Sequence, residues 1–158
     1  MVRAVGLLGV VAGLLWAGAV PATAATSRAP VTLVLTEVTT GFVPVDVAPA
    51  GPSPGDSFRF TSDVLDPAGV KVGAIVGGSR ILSVFPSGRI LSFIDETITL
   101  ADGTLRNFGP YDQTTYQAGG RVVVLSVGTG GVYRGRAGTL TAEGTGTFGV
   151  ERLTIRLR

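Results

Sequence analysis

The sequence predicts an all-β protein that folds as a closed eight-stranded antiparallel barrel. Nearly every periodic stretch after residue 30 alternates apolar and polar residues with a period of two, and none has the helical period of 3.6. Short turns join most of these stretches, so that neighbours in the sequence become antiparallel neighbours in the sheet. An open sheet of this size would expose edges that aggregate, and closure removes them. A two-sheet sandwich is the competing architecture.

Turn signals divide the chain into the predicted strands. The first strand begins at residue 31 and places Glu37 on the same face as Leu33 and Leu35. Residues 66–69 and the Asp102-Gly103 pair are typical of hairpin turns. The remaining predicted strands span residues 58–64, 70–85, 89–100, 104–111, 121–127, 139–148 and 152–158.

Two irregular segments interrupt the strand pattern. Residues 40–56 are rich in proline and glycine and predict a long loop, which is either a lid over a binding site or a plain connector. Residues 128–138 contain five glycines around Tyr133 and predict a tight barrel corner with the tyrosine packed over a glycine. This second segment lacks the Gly-Lys-Ser/Thr ending of a phosphate loop, and no βαβ unit surrounds it.

The first 24 residues predict a secretory signal peptide, which leaves a single barrel domain over residues 25–158. Arg3 precedes an apolar run over residues 5–20, and small residues end at Ala24, where we expect cleavage and hence a secreted protein. A retained membrane anchor is the alternative, although the run is somewhat short for a span of about 20 residues. No other stretch is apolar enough to cross a membrane.

The composition excludes several kinds of chemistry. Histidine and cysteine are both absent, which removes a Ser-His-Asp triad, a Cys-His pair and the usual zinc or copper sites, so that no metal is predicted. Without Arg3 the chain has 12 basic and 11 acidic residues, and its arginines are scattered. No basic stripe with interleaved aromatic residues is present, and nucleic-acid binding is therefore not predicted.

Four segments in order resemble the allene oxide cyclase and dirigent superfamily, and in particular its bacterial, exported branch. They are residues 54–66, residues 69–79, residues 99–103 and the glycine-rich residues 128–138. The resemblance implies a hydrophobic barrel that binds an unsaturated small molecule and steers its ring closure or coupling without a cofactor. It also implies a homodimer or a homotrimer, because relatives often form one or the other.

The same resemblance implies roles for individual residues. Glu37 falls where the family has a cavity-facing glutamate that stabilises positive charge developing in the substrate. Thr39 occupies the position of the family's asparagine, and Pro44 could stand for its proline at a different spacing. Ser79 replaces the family's cysteine. These departures leave the allene oxide substrate itself open and keep a general cyclase or ligand-binding role.

Glu37 is also a candidate from its own surroundings, because a carboxylate on an apolar strand face costs free energy unless it is paired. We expect either a raised pKa or a partner such as Arg80 or Arg121, unless the side chain lies solvated at the barrel mouth. Glu96 and Glu151 share faces with isoleucine and leucine residues and are candidates for a second interior acid.

Aromatic residues supply the predicted lining of the cavity. Phe58, Phe60, Phe93 and Tyr133 are expected to contact the hydrophobic ligand together with Ser79. The leading hypothesis is therefore a secreted, cofactor-free cyclase. A non-catalytic carrier of a lipid or secondary metabolite, and a structural envelope protein with a filled barrel, are the alternatives.

Overall fold

A computed structural model describes residues 28–47 and 49–158 as a closed barrel of eight antiparallel strands in sequential order. Each strand pairs with its neighbours in the chain, and the last strand pairs with the first. The predicted barrel is confirmed, and the sandwich alternative is wrong. The predicted signal peptide lies outside the described residues. The strands and the one short helix are β1 Val31–Val45, β2 Ser57–Leu65, β3 Lys71–Val84, β4 Ile90–Leu100, β5 Gly103–Asp112, α1 Gln113–Gln117, β6 Arg121–Gly131, β7 Ala137–Gly144 and β8 Val150–Leu157.

Strand β1 is longer than the sequence pattern predicts. A bulge between Thr39 and Gly41 shifts the register, after which the strand continues to Val45 in pairing with β2. Pairing between β1 and β8 stops at Val38, so the second half of β1 has a free edge. A free edge tolerates Pro44, because no ladder hydrogen bond is lost there. The loop predicted over residues 40–56 is therefore confined to residues 46–56.

A five-residue helix, α1, follows β5 and was not predicted. Asp112 caps its N-terminus by accepting a hydrogen bond from the backbone N–H of Thr115 at 2.9 Å. A helix of this length has too few residues to show a helical period. Among the described residues no helix is long and apolar enough to cross a membrane.

One end of the barrel is filled by its own side chains. Six aliphatic residues there have at most 1% of their surface exposed: Val64, Ile75, Ile98, Leu105, Ile155 and Leu157. They come from β2, β3, β4, β5 and β8, and together they form the apolar core that holds the ring of strands closed. This closed end carries the hydrophobic stabilisation and leaves the other end of the barrel free for a cavity.

The glycine-rich segment forms a tight corner with Tyr133 packed over glycine, as predicted, and this corner lies at the closed end of the barrel. Tyr133 packs over Gly103 and Gly128, where any Cβ atom would meet the tyrosine. The Tyr133 hydroxyl donates to the carboxylate of Asp102 at 2.8 and 2.9 Å from its two oxygens. The glycines are therefore required by close packing against the tyrosine, and the segment is structural.

We predict that Gly128→Ala destabilises the barrel much more than Gly135→Ala does. A Cβ atom at Gly128 would overlap the carbonyl oxygen of Tyr133, whereas Gly135 has open space around it and pays only for its positive φ of 76°. We expect losses of about 3 kcal/mol or more and about 1–2 kcal/mol in the free energy of unfolding, respectively. Urea unfolding measures both, and equal losses would contradict the packing argument.

Candidate functional site

A cavity of about 650 Å³ occupies the open end of the barrel. Its walls are mostly apolar, with Phe58, Phe60, Leu140 and Leu153 among the lining residues. The rim is formed by α1 and by the turn between β7 and β8, where Phe148 is 92% exposed. This volume is in the range of small-molecule sites, and a ring of strands forms its walls.

Three glutamates from three strands face this cavity. Glu37 lies on β1, Glu96 on β4 and Glu151 on β8, and Glu37 and Glu151 stand directly opposite each other in the β1–β8 ladder. Glu37 and Glu96 are each only 4% exposed. Like charges placed opposite each other on one face repel. The three carboxyl groups therefore cannot all be ionised without a substantial cost.

Glu37 is buried and has a hydroxyl partner. The Ser62 hydroxyl donates to Glu37 Oε1 at 2.6 Å. Burial raises the pKa of Glu37, and the hydrogen bond from Ser62 opposes that rise. Of the expectations for this residue, the raised pKa is confirmed and the solvated position at the mouth is wrong. An ion pair is also wrong, because Arg121 pairs with Glu143 on the exterior and Arg80 is exposed.

Glu96 and Glu151 are the more strongly perturbed acids. Burial raises the pKa of Glu96 to about 8, the charge on Glu37 adds to the rise, and a hydrogen bond from Asn107 opposes it. Burial and then the charge on Glu37 raise the pKa of Glu151 to about 8. Groups that interact in this way titrate as a set. Near neutral pH the set therefore retains protons that an exposed glutamate would have lost.

The three carboxyl groups differ in their hydrogen bonds. Glu96 Oε1 accepts from Asn107 Nδ2 at 3.0 Å, while Glu151 has no hydrogen-bond partner among the described residues. Gly77 on β3 helps to bury Glu96, because a Cβ at that position would lie 2.6 Å from the Glu96 Cβ and 2.7 Å from the Phe60 ring. The Phe60 ring and Glu96 thus share the space that the missing side chain leaves.

Four of the residues predicted for the site line the main cavity: Glu37, Thr39, Phe58 and Phe60. Pro44 and Ser79 instead line a smaller cavity of about 260 Å³ beside the loop of residues 46–56, with Phe58 on both cavities. Ser79 remains linked to the main cavity, because its hydroxyl lies 3.0 Å from that of Tyr111, which lines it.

The other two predicted ligand contacts lie elsewhere. Phe93 alternates with the buried Ser92 and with Ile94, which lines the cavity, so its ring faces the exterior of the barrel. Tyr133 lies in the closed end against the glycine corner and does not reach the cavity. The period of two divides each strand into two faces, but it does not say which face is inside or how deep a residue lies.

Several residues around the cavity were not predicted. Gln113, Tyr116 and Gln117 line it from α1, which is too short to be recognised in the sequence, Phe148 lines it from the turn before β8, and Val150 from the start of β8. Glu96 and Glu151 were candidates for interior acids, and both face the cavity. Among the described residues no group of three His, Cys, Asp or Glu side chains could hold a metal ion.

The geometry defines a small barrel protein with an apolar, acid-lined cavity, and the sequence comparison gives its family. Residues 34–154 match the profile of the allene oxide cyclase barrel like domain, and the chain belongs to that family. The match covers all but the start of β1 and the end of β8. No curated protein matches the chain significantly.

Solved structures with the same barrel include three cyclases. The Diels-Alderase AbmU from Streptomyces koyangensis is 28% identical, with a TM-score of 0.71 over 80% of this chain and 63% of its own. A nonspecific haem-binding cyclase that catalyses a 4 + 2 cycloaddition in neoabyssomicin biosynthesis is also 28% identical, with a TM-score of 0.73 over 84% of this chain and 65% of its own. AbnU, an exo-specific intermolecular Diels-Alderase, shares the fold at 22% identity and a TM-score of 0.72, over 82% of this chain and 98% of its own. The chain thus spans just under two thirds of the length of the two more identical structures.

We predict that the barrel loses stability as pH rises from about 5 to 8.5, and that Glu96→Gln reduces this loss. The folded-state pKa values of Glu96 and Glu151, both about 8, lie above the ordinary value of 4.5. The folded protein therefore holds protons that the unfolded chain releases, and stability falls as pH rises through this window. Glutamine keeps the shape and the acceptor for Asn107 without the ionisation.

Melting temperatures at pH 5.5 and 8.5 test this prediction. The difference between the two temperatures should shrink in Glu96→Gln, because one of the three glutamates with a raised pKa no longer ionises. Glu143→Gln, a change on the exterior of β7, is the matched control and should keep the wild-type difference. An unchanged difference in Glu96→Gln would show that this carboxyl is not protonated in the folded protein.

Proposed function

We propose that this protein binds a hydrophobic, unsaturated small molecule that carries an acceptor oxygen, such as a carbonyl, and steers its ring closure or coupling without a cofactor. The observation that carries the proposal is the combination of an apolar cavity with three glutamates, two of which, Glu96 and Glu151, keep protons near neutral pH. Apolar walls select the ligand class, and neutral acids are hydrogen-bond donors that select an acceptor oxygen.

The two acids with a pKa of about 8 provide the electrophilic part of the mechanism. A neutral carboxyl group that donates to a carbonyl oxygen withdraws electron density from the conjugated system next to it. The donor strengthens as negative charge develops on that oxygen, so it stabilises the transition state more than the bound substrate. Glu151 is the better candidate for this contact, because it has no other hydrogen-bond partner among the described residues.

Glu37 provides the opposite charge. Burial raises the pKa of Glu37, the hydrogen bond from Ser62 offsets part of that rise in favour of the carboxylate, and the charge on Glu37 in turn raises the pKa of Glu96 and of Glu151. A carboxylate beside the substrate stabilises positive charge that develops at the other end of the reacting system. Confinement of the substrate in one folded conformer lowers the activation free energy further, and in model systems this effect contributes up to about 7–11 kcal/mol.

The carboxyl groups favour an enzyme over a plain carrier. A carrier of an apolar guest needs only apolar walls, whereas each buried carboxyl group costs folding free energy, and perturbed carboxyl groups in a cavity are often functional. The cavity itself leaves the structural alternative, a barrel filled by its own side chains, without support. The two cyclases that are 28% identical to this chain, one of them a Diels-Alderase, support ring closure as the reaction class.

Haem does not belong to this proposal, although one of those relatives binds it. Histidine and cysteine, common ligands of haem iron, are absent from the sequence, and the one methionine is Met1. The Tyr111 hydroxyl in the cavity is shared with Ser79. No lysine or arginine is among the described residues that line the cavity, so the haem propionates would have no cation to pair with there. The residues present therefore do not fit the group.

The proposed site of action is outside the cytoplasm, on the strength of the signal sequence in residues 1–24. A homodimer or homotrimer is part of the same proposal. Val123 and Leu125 on the outer face of β6 are each 54% exposed and offer an apolar patch for a second copy.

We predict that a neutral conjugated ketone binds the protein at pH 6.5 and is released as pH rises. With β-ionone as the probe, donation from a protonated glutamate should shift its absorption to longer wavelength. Above the pKa values of about 8 for Glu96 and Glu151, the donors are lost and charges appear in the apolar cavity. We expect the dissociation constant to rise about tenfold or more between pH 6.5 and 9.5, and a tenfold rise corresponds to about 1.4 kcal/mol of binding free energy.

The double variant Glu96→Gln with Glu151→Gln keeps the cavity shape and removes the two ionisations near pH 8, so its affinity should change less than the wild-type affinity over the same range. Glu143→Gln on the exterior should keep the full pH dependence. Equal affinity of the wild-type protein at both pH values would overturn the role of the protonated acids.

Native mass spectrometry of protein recovered from the culture medium separates an enzyme from a carrier. We expect a mass that begins at residue 25 and a bound organic molecule. Solvent extraction after incubation should return that molecule as a cyclised isomer of unchanged mass, or as a coupled product. Return of the same compound in every preparation would instead favour the carrier, and a mass that includes residues 1–24 would contradict export.

A further inference from the structure

Asn107 is a fully buried amide that the proposed mechanism does not use. It lies on β5 directly opposite Glu96 on β4 and opposite Ser126 on β6. Its exposed fraction is 0%, and it does not line the cavity. The next interior positions towards the closed end, Leu105 and Ile98, are aliphatic. A leucine at position 107 would extend that aliphatic core without burying a polar group. The buried amide therefore points to a specific role for Asn107.

The hydrogen bonds of Asn107 are only partly satisfied. Its Nδ2 donates to Glu96 Oε1 at 3.0 Å, while its Oδ1 and the neighbouring Ser126 hydroxyl find no partner among the described residues. A buried polar atom without a partner costs free energy comparable to a lost hydrogen bond. The one side-chain hydrogen bond that Asn107 makes to a described residue is therefore its hydrogen bond to Glu96, an acid that lines the cavity.

The direction of this hydrogen bond fixes where the acid proton resides. Oε1 of Glu96 accepts from Asn107, so a proton on the neutral acid must sit on Oε2, which has no hydrogen bond to a described residue. We propose that Asn107 is a positioning residue that holds Glu96 with its acidic O–H on Oε2, free to donate to a ligand in the cavity. The inference rests on the proposed function in assuming that Glu96 donates to a ligand.

The opposite orientation of the amide would have the opposite effect. With Oδ1 against the carboxyl group, Glu96 would donate its proton to Asn107 and present only acceptors to the cavity. The two orientations of the Asn107 amide shift the pKa of Glu96 in opposite directions. A donor from Asn107 favours the carboxylate and lowers the pKa of Glu96, whereas an acceptor would favour the neutral acid and raise that pKa. The sign of a measured shift therefore decides between them.

Carbon-13 NMR of protein labelled at the glutamate Cδ positions measures that sign. The chain has only four glutamates, and Gln substitutions assign each signal. The groups that face Glu96 are Glu37 from β1, Glu151 from β8 and Tyr111 from β5, with Asp95 beside it on β4. All four glutamate signals are followed in one titration, so a change in Glu37 or Glu151 is seen directly.

We expect Asn107→Leu to move the titration midpoint of Glu96 upward by about one to two pH units, because a hydrogen bond to the charged form is lost. Ser126→Ala is the matched control: it alters the other neighbour of Asn107 without a bond to Glu96, and the midpoint should stay in place. If Asn107→Leu does not fold, Asn107→Ala tests the same upward shift. A downward shift or none overturns the proposal.

The titration does not depend on turnover, so the two proposals fail separately. An upward shift of the Glu96 midpoint without pH-dependent binding of β-ionone would support the role of Asn107 and contradict the proposed function. The expected pH-dependent binding of β-ionone, with no shift of the Glu96 midpoint in Asn107→Leu, would support the proposed function and contradict the role of Asn107. Where both hold, Asn107→Leu should also reduce the red shift of the bound ketone at pH 6.5, because the proton is no longer held on one oxygen.

Discussion

The structure depends on how three carboxyl groups share one apolar cavity with no cation among the residues that line it. Glu37, Glu96 and Glu151 come from strands that only closure of the ring brings together. Because their mutual repulsion and their burial both disfavour charge, protonation is the remaining way to accommodate them. The same interactions that weaken the fold at high pH therefore create neutral acids, which are the groups that the proposed reaction needs.

The barrel separates the requirements of stability and function along its axis. The closed end holds aliphatic residues from five strands and the Tyr133 corner, and it carries the packing that keeps the ring shut. The open end can then hold a cavity, because the closed end makes the apolar contacts that the open end lacks. Polar residues sit at the boundary between the two, where Ser62 and Asn107 hold two of the acids from outside the cavity.

The period-two pattern predicted the strands and their sequential antiparallel pairing, and it placed Glu37 on an apolar face, but it left the sandwich and a solvated Glu37 as alternatives. It could not place Phe93, because alternation gives two faces without naming the inner one, nor Tyr133, because depth along the axis depends on register. The bulge at Thr39 extends β1 past the predicted loop, and α1 is too short to leave a periodic trace. Among the glutamates the family resemblance gave a role only to Glu37, whereas the three-dimensional arrangement makes it one member of a coupled set.

That coupling limits what a single residue can be said to do. Replacing Glu37 by a neutral residue would remove a charge that raises the pKa of both other acids, so they would ionise more readily and lose the protons that make them donors. A loss of activity in such a variant would therefore not identify Glu37 as the group that contacts substrate. Only measurements that follow each carboxyl group separately can assign the roles, because the free energy of each protonation state belongs to the set.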